Sequence, residues 1–550
     1  MKKHLIAALL LCASTMFGAG KATVCDDCDC EVTGRSFFSV RPPWQASSPE
    51  RLTMFRDAMD ARIDGRNGAF QVGLFGGRST RPSRLAKYFF PDCKERLVVS
   101  EEQLDDTDIL AGHFNIVTAE NTFKSIIEIR PRHSFVGVGL NYRQQFAERC
   151  DGRGFFFEVS LPIEHVRNEL EFCEQIIQDG GGAQCPPDII PTLTRSCPTD
   201  LCDSCCPTSS LECAFSCDNL QSNMRSAFMQ ECFKFGRIES GSDCPTDCNT
   251  NSRKVTKTSV AGAELRLGYQ IVDCPNYNWD GWIGVVLPSG NTPKGIRVFE
   301  PIVGYNDHWG LETGASFDVV FWEAECEDRN LTFAFDCHGL YLFNKDEVRS
   351  FDLKNKPWSR YMQMYANKEQ AQQAADAAAV QNLQTSLLLG VPGINVLTQC
   401  VRVKPRFSRT FNWGFIYNHC QFRGELGYNF YAREAECVEL ACPWQEGPAL
   451  KALTGAGETD SVQQIGDNFS NNNVENVANY DRNVITAADL DLNSAAAPCT
   501  MSHTIYGSMG YHWDERCYPT FVGMGASYEI TTDNTGMNRW MAWAKVGLSF

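Results

Sequence analysis

The sequence predicts an all-β fold: a transmembrane antiparallel β-barrel of roughly 12 to 16 strands with large cysteine-rich and helical loop inserts. Three observations predict it. Segments of roughly ten residues alternate apolar and polar side chains with period two, the length and pattern of a tilted strand crossing a bilayer. Charges sit in the middle of the polar faces, where a wet lumen would solvate them. Tyr, Trp and Phe gather at strand ends, at Trp279, Trp309, Tyr417, Tyr428, Tyr528 and Trp540, as girdles at the two membrane interfaces require. Composition is compatible: 43% hydrophobic and 21% charged residues describe neither a disordered chain nor a helical membrane protein. Past the N-terminus no run approaches the roughly 20 apolar residues of a spanning helix.

Residues 1–22 read as a signal peptide. Lys2, Lys3 and His4 precede the apolar run LIAALLLCASTMFGA, and small residues follow at a cleavage zone near Ala19 or Ala22. The formal charge of -17 excludes a general affinity for nucleic acid. Residues 23–163 form an N-terminal segment and the first barrel strands, FVGVGLNY (135–142) and GFFFEVSLPI (154–163). Within it, SSPERLTMFRDAMDARIDG reads as a helix opened by Ser48 and Pro49. The arginines around it, Arg35 to Arg84, read as solvated at the rim or paired to Asp57, Asp60 and Asp64 rather than as a pore wall.

Residues 164–258 form an insert too large for a tight turn and therefore expected outside the cell. It holds Cys173, Cys185, Cys197, Cys202, Cys205, Cys206, Cys213, Cys217, Cys232, Cys244 and Cys248. In an exported chain such density reads as disulfides within the segment. Zinc is the competing reading of Cys25-x-x-Cys28-x-Cys30 and Cys202-x-x-Cys205-Cys206. No second Cys or His pair completes either, so no metal and no cofactor is expected. Cys25, Cys28 and Cys30, exposed among aspartates, are the candidates for intermolecular disulfides on the inner side of the membrane, which would give a disulfide-linked homo-oligomer.

Barrel strands return over 259–361. In GAELRLGYQI, Leu265, Leu267, Tyr269 and Ile271 oppose Glu264 and Arg266; in WGLETGASFDVVF, Leu311, Phe317 and Val319 oppose Glu312 and Asp318. Residues 362–400 are an Ala/Gln-rich insert, with a helix expected over 362–390. Strands follow over 401–433, where Phe422, Leu426 and Tyr428 oppose Arg423 and Glu425. Residues 434–498 read as a polar loop, mobile and exposed over 455–497. Residues 499–550 hold the C-terminal strands, ending MNRWMAWAKVGLSF. There Trp540, Ala542, Ala544, Val546, Leu548 and Phe550 share one face, and Lys545 lies on the other. Lumen-facing positions are thus Glu264, Arg266, Glu312, Asp318, Arg423, Glu425 and Lys545.

The alternating residues Trp540 to Phe550, ending on an aromatic, resemble the C-terminal insertion signal of Gram-negative outer-membrane β-barrels. The resemblance implies outer-membrane lipid and the barrel-assembly machinery as partners, with no nucleic acid. At class level the chain is similar to porins. The cysteine content and CDDCDC near the mature N-terminus loosely resemble the major outer-membrane proteins of chlamydia-like envelopes, where disulfides between barrels substitute for a rigid wall. The eleven-cysteine insert departs from that pattern.

No HExxH, GxSxG, P-loop or GxGxxG motif places the eight histidines of the mature chain in a catalytic frame, so no enzyme is expected. The expected function is passive diffusion of small hydrophilic solutes through a porin-like channel, with a structural, disulfide-linked role in the envelope. The alternatives are an adhesin or receptor acting through its cysteine-rich loop, and a soluble secreted disulfide-rich β protein.

Overall fold

The computed structural model describes residues 68–550 apart from 91–93, 103, 105, 147–153, 183–219, 229–253, 275, 296–297, 325–328, 355, 357, 380–389, 446, 451–483, 514–517 and 533–535. Twelve antiparallel strands close into a ring. They are β1 (Gly68–Ser79), β2 (Arg132–Phe146), β3 (Phe155–Glu169), β4 (Glu264–Cys274), β5 (Tyr277–Val286) and β6 (Gly310–Glu323). The circuit continues with β7 (Arg329–Leu342), β8 (Arg406–His419), β9 (Phe422–Arg433), β10 (Thr500–Trp513), β11 (Thr520–Thr531) and β12 (Arg539–Ser549). Each pairs with its neighbour in the chain, and β12 returns to β1 in unbroken register from Ala69↔Ser549 to Ser79↔Arg539.

That closure explains the aromatic chain end. Gly68 and Phe550 exchange both backbone hydrogen bonds, at 2.9 Å each, so the last residue is paired and not frayed. The Phe550 ring stacks beside Tyr142 and covers Gly68, where a Cβ would approach the ring to 2.5 Å.

The connections divide by length between the two ends. At the Phe550 end they are short: 147–154, 275–276, 324–328, 420–421 and 514–519. At the other end run 80–131, 170–263, 287–309, 343–405 and 434–499, with the shorter 532–538. Outer-membrane barrels keep short turns in the periplasm and long loops outside, which orients the Phe550 end inward.

Outside the ring, Leu74, Ile283, Leu426, Ile505 and Met524 form an aliphatic belt, each 58–66% exposed. Aromatics flank it. Phe70, Phe155, Phe415, Tyr417, Phe422 and Tyr511 lie toward the short turns; Trp309, Tyr341, Phe343, Tyr528 and Trp540 lie toward the long loops. A soluble sandwich would bury these side chains against a second sheet. Facing outward all round a closed ring, they are matched by hydrocarbon.

The long connections are folded. Phe89 and Phe90, Phe172 and Phe228, Phe299, Trp358 and Ile394, and Met537 come from five different connections and share one buried cluster. Because those connections rise from all round the ring, the cluster caps its outer mouth. Trp358 Nε1 donates to Phe89 O at 2.9 Å inside it, and Asn168 of β3 donates to Phe299 O and Glu300 O at 3.1 and 3.2 Å, tying cap to barrel. A second cluster joins 343–405 to 434–499 through Phe351, Val401, Val403, Val438 and Leu490. At its edge the fully buried Arg360 holds Asp352 through two 2.9 Å hydrogen bonds and also reaches Ser350 O and Ser494 O. A buried ion pair persists when its remaining donors are satisfied in this way.

Three sequence boundaries need correction. The insert does not begin at 164, since β3 runs to Glu169, and it ends in a strand, Lys254–Val260, paired to β3 from Ile163↔Val260 to Glu169↔Lys254. There His165, Arg167 and Glu169 face outward above the lipid, so the apolar alternation vanishes while the strand continues. The helix expected over 362–390 is described only as Lys368–Ala379. Asn367 Oδ1 accepts from Gln370 N at 2.9 Å and sets its start, while Gln363–Met364 pairs as a strand with Val391–Pro392. The polar loop 434–498 is docked in its described parts: Cys437–Leu440 pairs with Thr398–Lys404, and Leu490–Asp491 with Asp352–Leu353. A few apolar anchors suffice, and the polar composition hid them.

Candidate functional site: the inner wall of the barrel

Period two decides which side chains enter the lumen. Along β4, Glu264, Arg266, Gly268 and Gln270 face inward while Leu265 and Leu267 are exposed. All seven lumen positions read from the sequence lie on inward faces. Glu264, Glu312, Arg423, Glu425 and Lys545 are buried, Arg266 is half-buried, and Asp318 shares the inward parity of Glu312 and Ser316 on β6. The C-terminal set Trp540 to Phe550 occupies the outer face of β12. Ser549, on the other face, is fully buried, so a charge there must displace packed neighbours, contrary to the tolerance its small polar side chain suggests.

The structure joins several of these charges into one network. Arg266 donates to Glu264 at 2.8 Å and Glu312 at 2.9 Å, with Glu158 at 3.7 Å. Arg143 links Glu158 at 3.0 Å to Asp280 at 3.2 Å, and His338 Nε2 lies 3.1 Å from Glu312. A second run crosses the next strands: Ser316 Oγ donates to Asp336, Asn412 Nδ2 to Asp336 and Tyr506 OH, and Tyr506 OH to Glu425 at 2.7 Å. Glu158, Asp280, Asp336, Asn412 and Tyr506 were missed by sequence reading, although their inward parity marks them.

The glycines inside the strands have a specific use. Phe75 stands opposite Gly137, Phe156 opposite Gly268, Trp282 opposite Gly314, Tyr506 opposite Gly427 and Trp543 opposite Gly525. Each ring lies across its glycine, where a Cβ would meet ring carbons at 2.0–2.4 Å. Inward aromatics therefore line the wall. Two of them carry guanidiniums: Arg143 lies 3.8 Å above the Phe156 ring and Arg266 lies 4.1 Å above Trp282. The layers run glycine, ring, guanidinium, carboxylate.

Charge is divided laterally. Among the described inward positions, β2 to β7 present Glu158, Glu164, Glu264, Asp280, Glu312, Asp318 and Asp336 against Arg143 and Arg266, a formal -5. Counted over buried and half-buried side chains, strands β8 to β12 present Arg423, Arg433, Arg539 and Lys545 against Glu425 and Glu529, a formal +2, with the exposed Arg406 beyond them at the rim. A field therefore crosses the lumen from one half of the wall to the other. Of the arginines near the first strand, Arg35 to Arg66 lie outside the described residues, and the described ones do not join the basic half. Arg78 is exposed on the outward face of β1, and Arg84 donates to Thr531 O and Thr532 O at the outer rim.

Cysteines give a mixed result. Cys173 is a free, exposed thiol on the cap strand Phe172–Gln178, so it does not pair within its segment. Cys274, Cys420 and Cys437 are also free, and Cys400 is disulfide-bonded. Cys185, Cys197, Cys202, Cys205, Cys206, Cys213, Cys217, Cys232, Cys244 and Cys248 lie outside the described residues. So do Cys25, Cys28 and Cys30, the signal peptide and the helix opened by Ser48.

No family model matches the sequence, and no curated protein matches it. Among solved structures, the chain is similar to an outer membrane channel from Pseudomonas putida F1, at 6% identity over 89% of this chain and 98% of that one, TM-score 0.36. It is also similar to the transport unit of the autotransporter AIDA-I from Escherichia coli, at 6% identity over 92% and 100%, TM-score 0.30. A Pseudomonas aeruginosa FadL homologue matches at 7% identity over 95% and 97%, TM-score 0.27. Scores this low leave the assignment to the chain's own features. Its closed ring, its lipid-matched belt and the division of short and long connections make it an outer-membrane β-barrel.

Proposed function

We propose that the barrel is a channel for passive diffusion of small hydrophilic solutes, with the folded cap restricting what reaches the lumen. The inner wall carries the reading: its carboxylates, guanidiniums, amides and hydroxyls, set between inward aromatics such as Phe156, Trp282 and Tyr506, suit water and polar solutes. Liposome swelling with the refolded full chain tests it. Swelling should be fast for small neutral sugars and fall with solute size. Rates equal to protein-free liposomes for every sugar would remove the channel and leave the cap as a surface-binding domain, the reading its large hydrophobic core favours.

A structural role through disulfides belongs to the same proposal. Each short connection at the Phe550 end carries or adjoins one cysteine: Cys150, Cys274, Cys326, Cys420 and Cys517. Cys420, at the tip of the β8–β9 turn, is a free and exposed thiol, and Cys274 beside the β4–β5 turn is free. The thiols of Cys274 and Cys420 at the inner rim, together with the cysteines the other short connections carry in sequence and Cys25, Cys28 and Cys30, support cross-links between copies on that face.

A further inference from the structure

Where β7, β8 and β9 meet the cap, a cavity of about 50 Å³ lies at the top of the lumen, several times the space that one water needs. Its lining mixes basic, apolar and polar side chains with one carboxylate. Arg406, Arg433, Leu340, Leu342 and Ile302 line it, as does Glu436, whose Oε2 already accepts from Arg349 and from Ala497 N. Arg349 also lines it but is engaged by Glu347 and Glu436, each at 2.9 to 3.0 Å. Neither Arg406 nor Arg433 has a carboxylate partner among the described residues; Arg433 Nη2 donates to Pro498 O at 3.1 Å, and its buried Nε has no acceptor. Across the same lining Asn306 is 8% exposed, and its buried Oδ1 has no donor. The cavity thus holds an unused guanidinium Nε–H, an unused amide oxygen and apolar side chains.

We infer that this cavity binds a small carboxylate whose neighbouring carbon bears a hydroxyl or amino group, the carboxylate on Arg433 and Arg406 and the donor on Asn306. A planar guanidinium fork matches a carboxylate edge, and buried polar atoms left unpaired are costly enough that a ligand completing them gains affinity. The aliphatic side chains accommodate a short hydrocarbon body. Binding here does not require the barrel to conduct, so it stands or falls apart from the channel reading.

Calorimetry on the full chain refolded in detergent micelles tests it with lactate, glycine, acetate and inorganic phosphate as probes. Saturable binding is expected for lactate or glycine, with weaker binding of acetate. Arg433→Gln should weaken lactate by about tenfold or more, as loss of a charged hydrogen bond does. Asn306→Gly, compatible with the positive φ of 53° at this position, should abolish the preference for lactate over acetate and leave acetate unchanged. Heat-modifiable migration reports whether each variant folds; if Arg433→Gln does not, Arg406→Gln at the exposed rim replaces it and should weaken lactate several-fold. No saturable binding of any probe, tighter binding of phosphate than of lactate, or unchanged affinity in the arginine variant would overturn the inference.

Discussion

Gly268 shows how much one absent side chain holds in place. Phe156 lies flat over it, Arg143 lies on Phe156, and Arg143 bridges Glu158 and Asp280. A Cβ at Gly268 would sit 2.0 Å from the ring, and the ring cannot retreat without lifting the guanidinium from its two carboxylates. Gly268→Ala should therefore destabilise the barrel by about 1–3 kcal/mol, the usual range for overpacking. Gly281, on the lipid face with nothing nearer than 3.8 Å, is the control and should tolerate alanine. Urea unfolding in micelles distinguishes them; equal midpoints would show that the rings do not need their glycines. From sequence, these glycines read as bends in a closed wall. Their partners are fixed by strand register, which sequence alone does not supply.

At the scale of single elements, the cap strand Lys345–Ser350 carries the clearest pH dependence. Burial alone would raise the carboxyl of Glu347, but Arg349 and His308, at 2.9 and 2.6 Å, outweigh it and hold the group at about 2. A carboxylate whose folded value lies below its ordinary 4.5 contributes stability that is complete above about pH 4.5 and is lost as pH falls through about 2. The difference corresponds to about 3 kcal/mol. Hydrogen exchange of the cap should therefore accelerate between pH 4.5 and 2, and Glu347→Gln should remove most of that acceleration. The same pH profile in wild type and variant would place the sensitivity elsewhere. Elements differ in how well sequence showed them. β4, β9 and β12 were legible because lipid outside and water inside enforce strict alternation. The upper part of β3 was not, because above the bilayer both faces are polar. The cap strands were short, and their anchors such as Val438 and Leu490 gain meaning only from partners far along the chain.

For the whole molecule, closure follows from one constraint, that backbone groups in hydrocarbon must all be paired within the protein, and orientation from the division of short and long connections. Seven inward charges were readable one strand at a time. Their division into an acidic half over β2 to β7 and a basic half over β8 to β12 was not, because it depends on the order of strands around the ring. The central claim is that this inner wall, formally -3 over its buried and half-buried inward positions, lines a conducting path. The reversal potential of the refolded full chain in a planar bilayer under a KCl gradient measures it directly. A cation-preferring potential is expected, moving toward anion preference when Glu312, Asp318 and Asp336 are replaced by their amides. A conductance that prefers anions from the start, or a potential unmoved by the triple replacement, would contradict it.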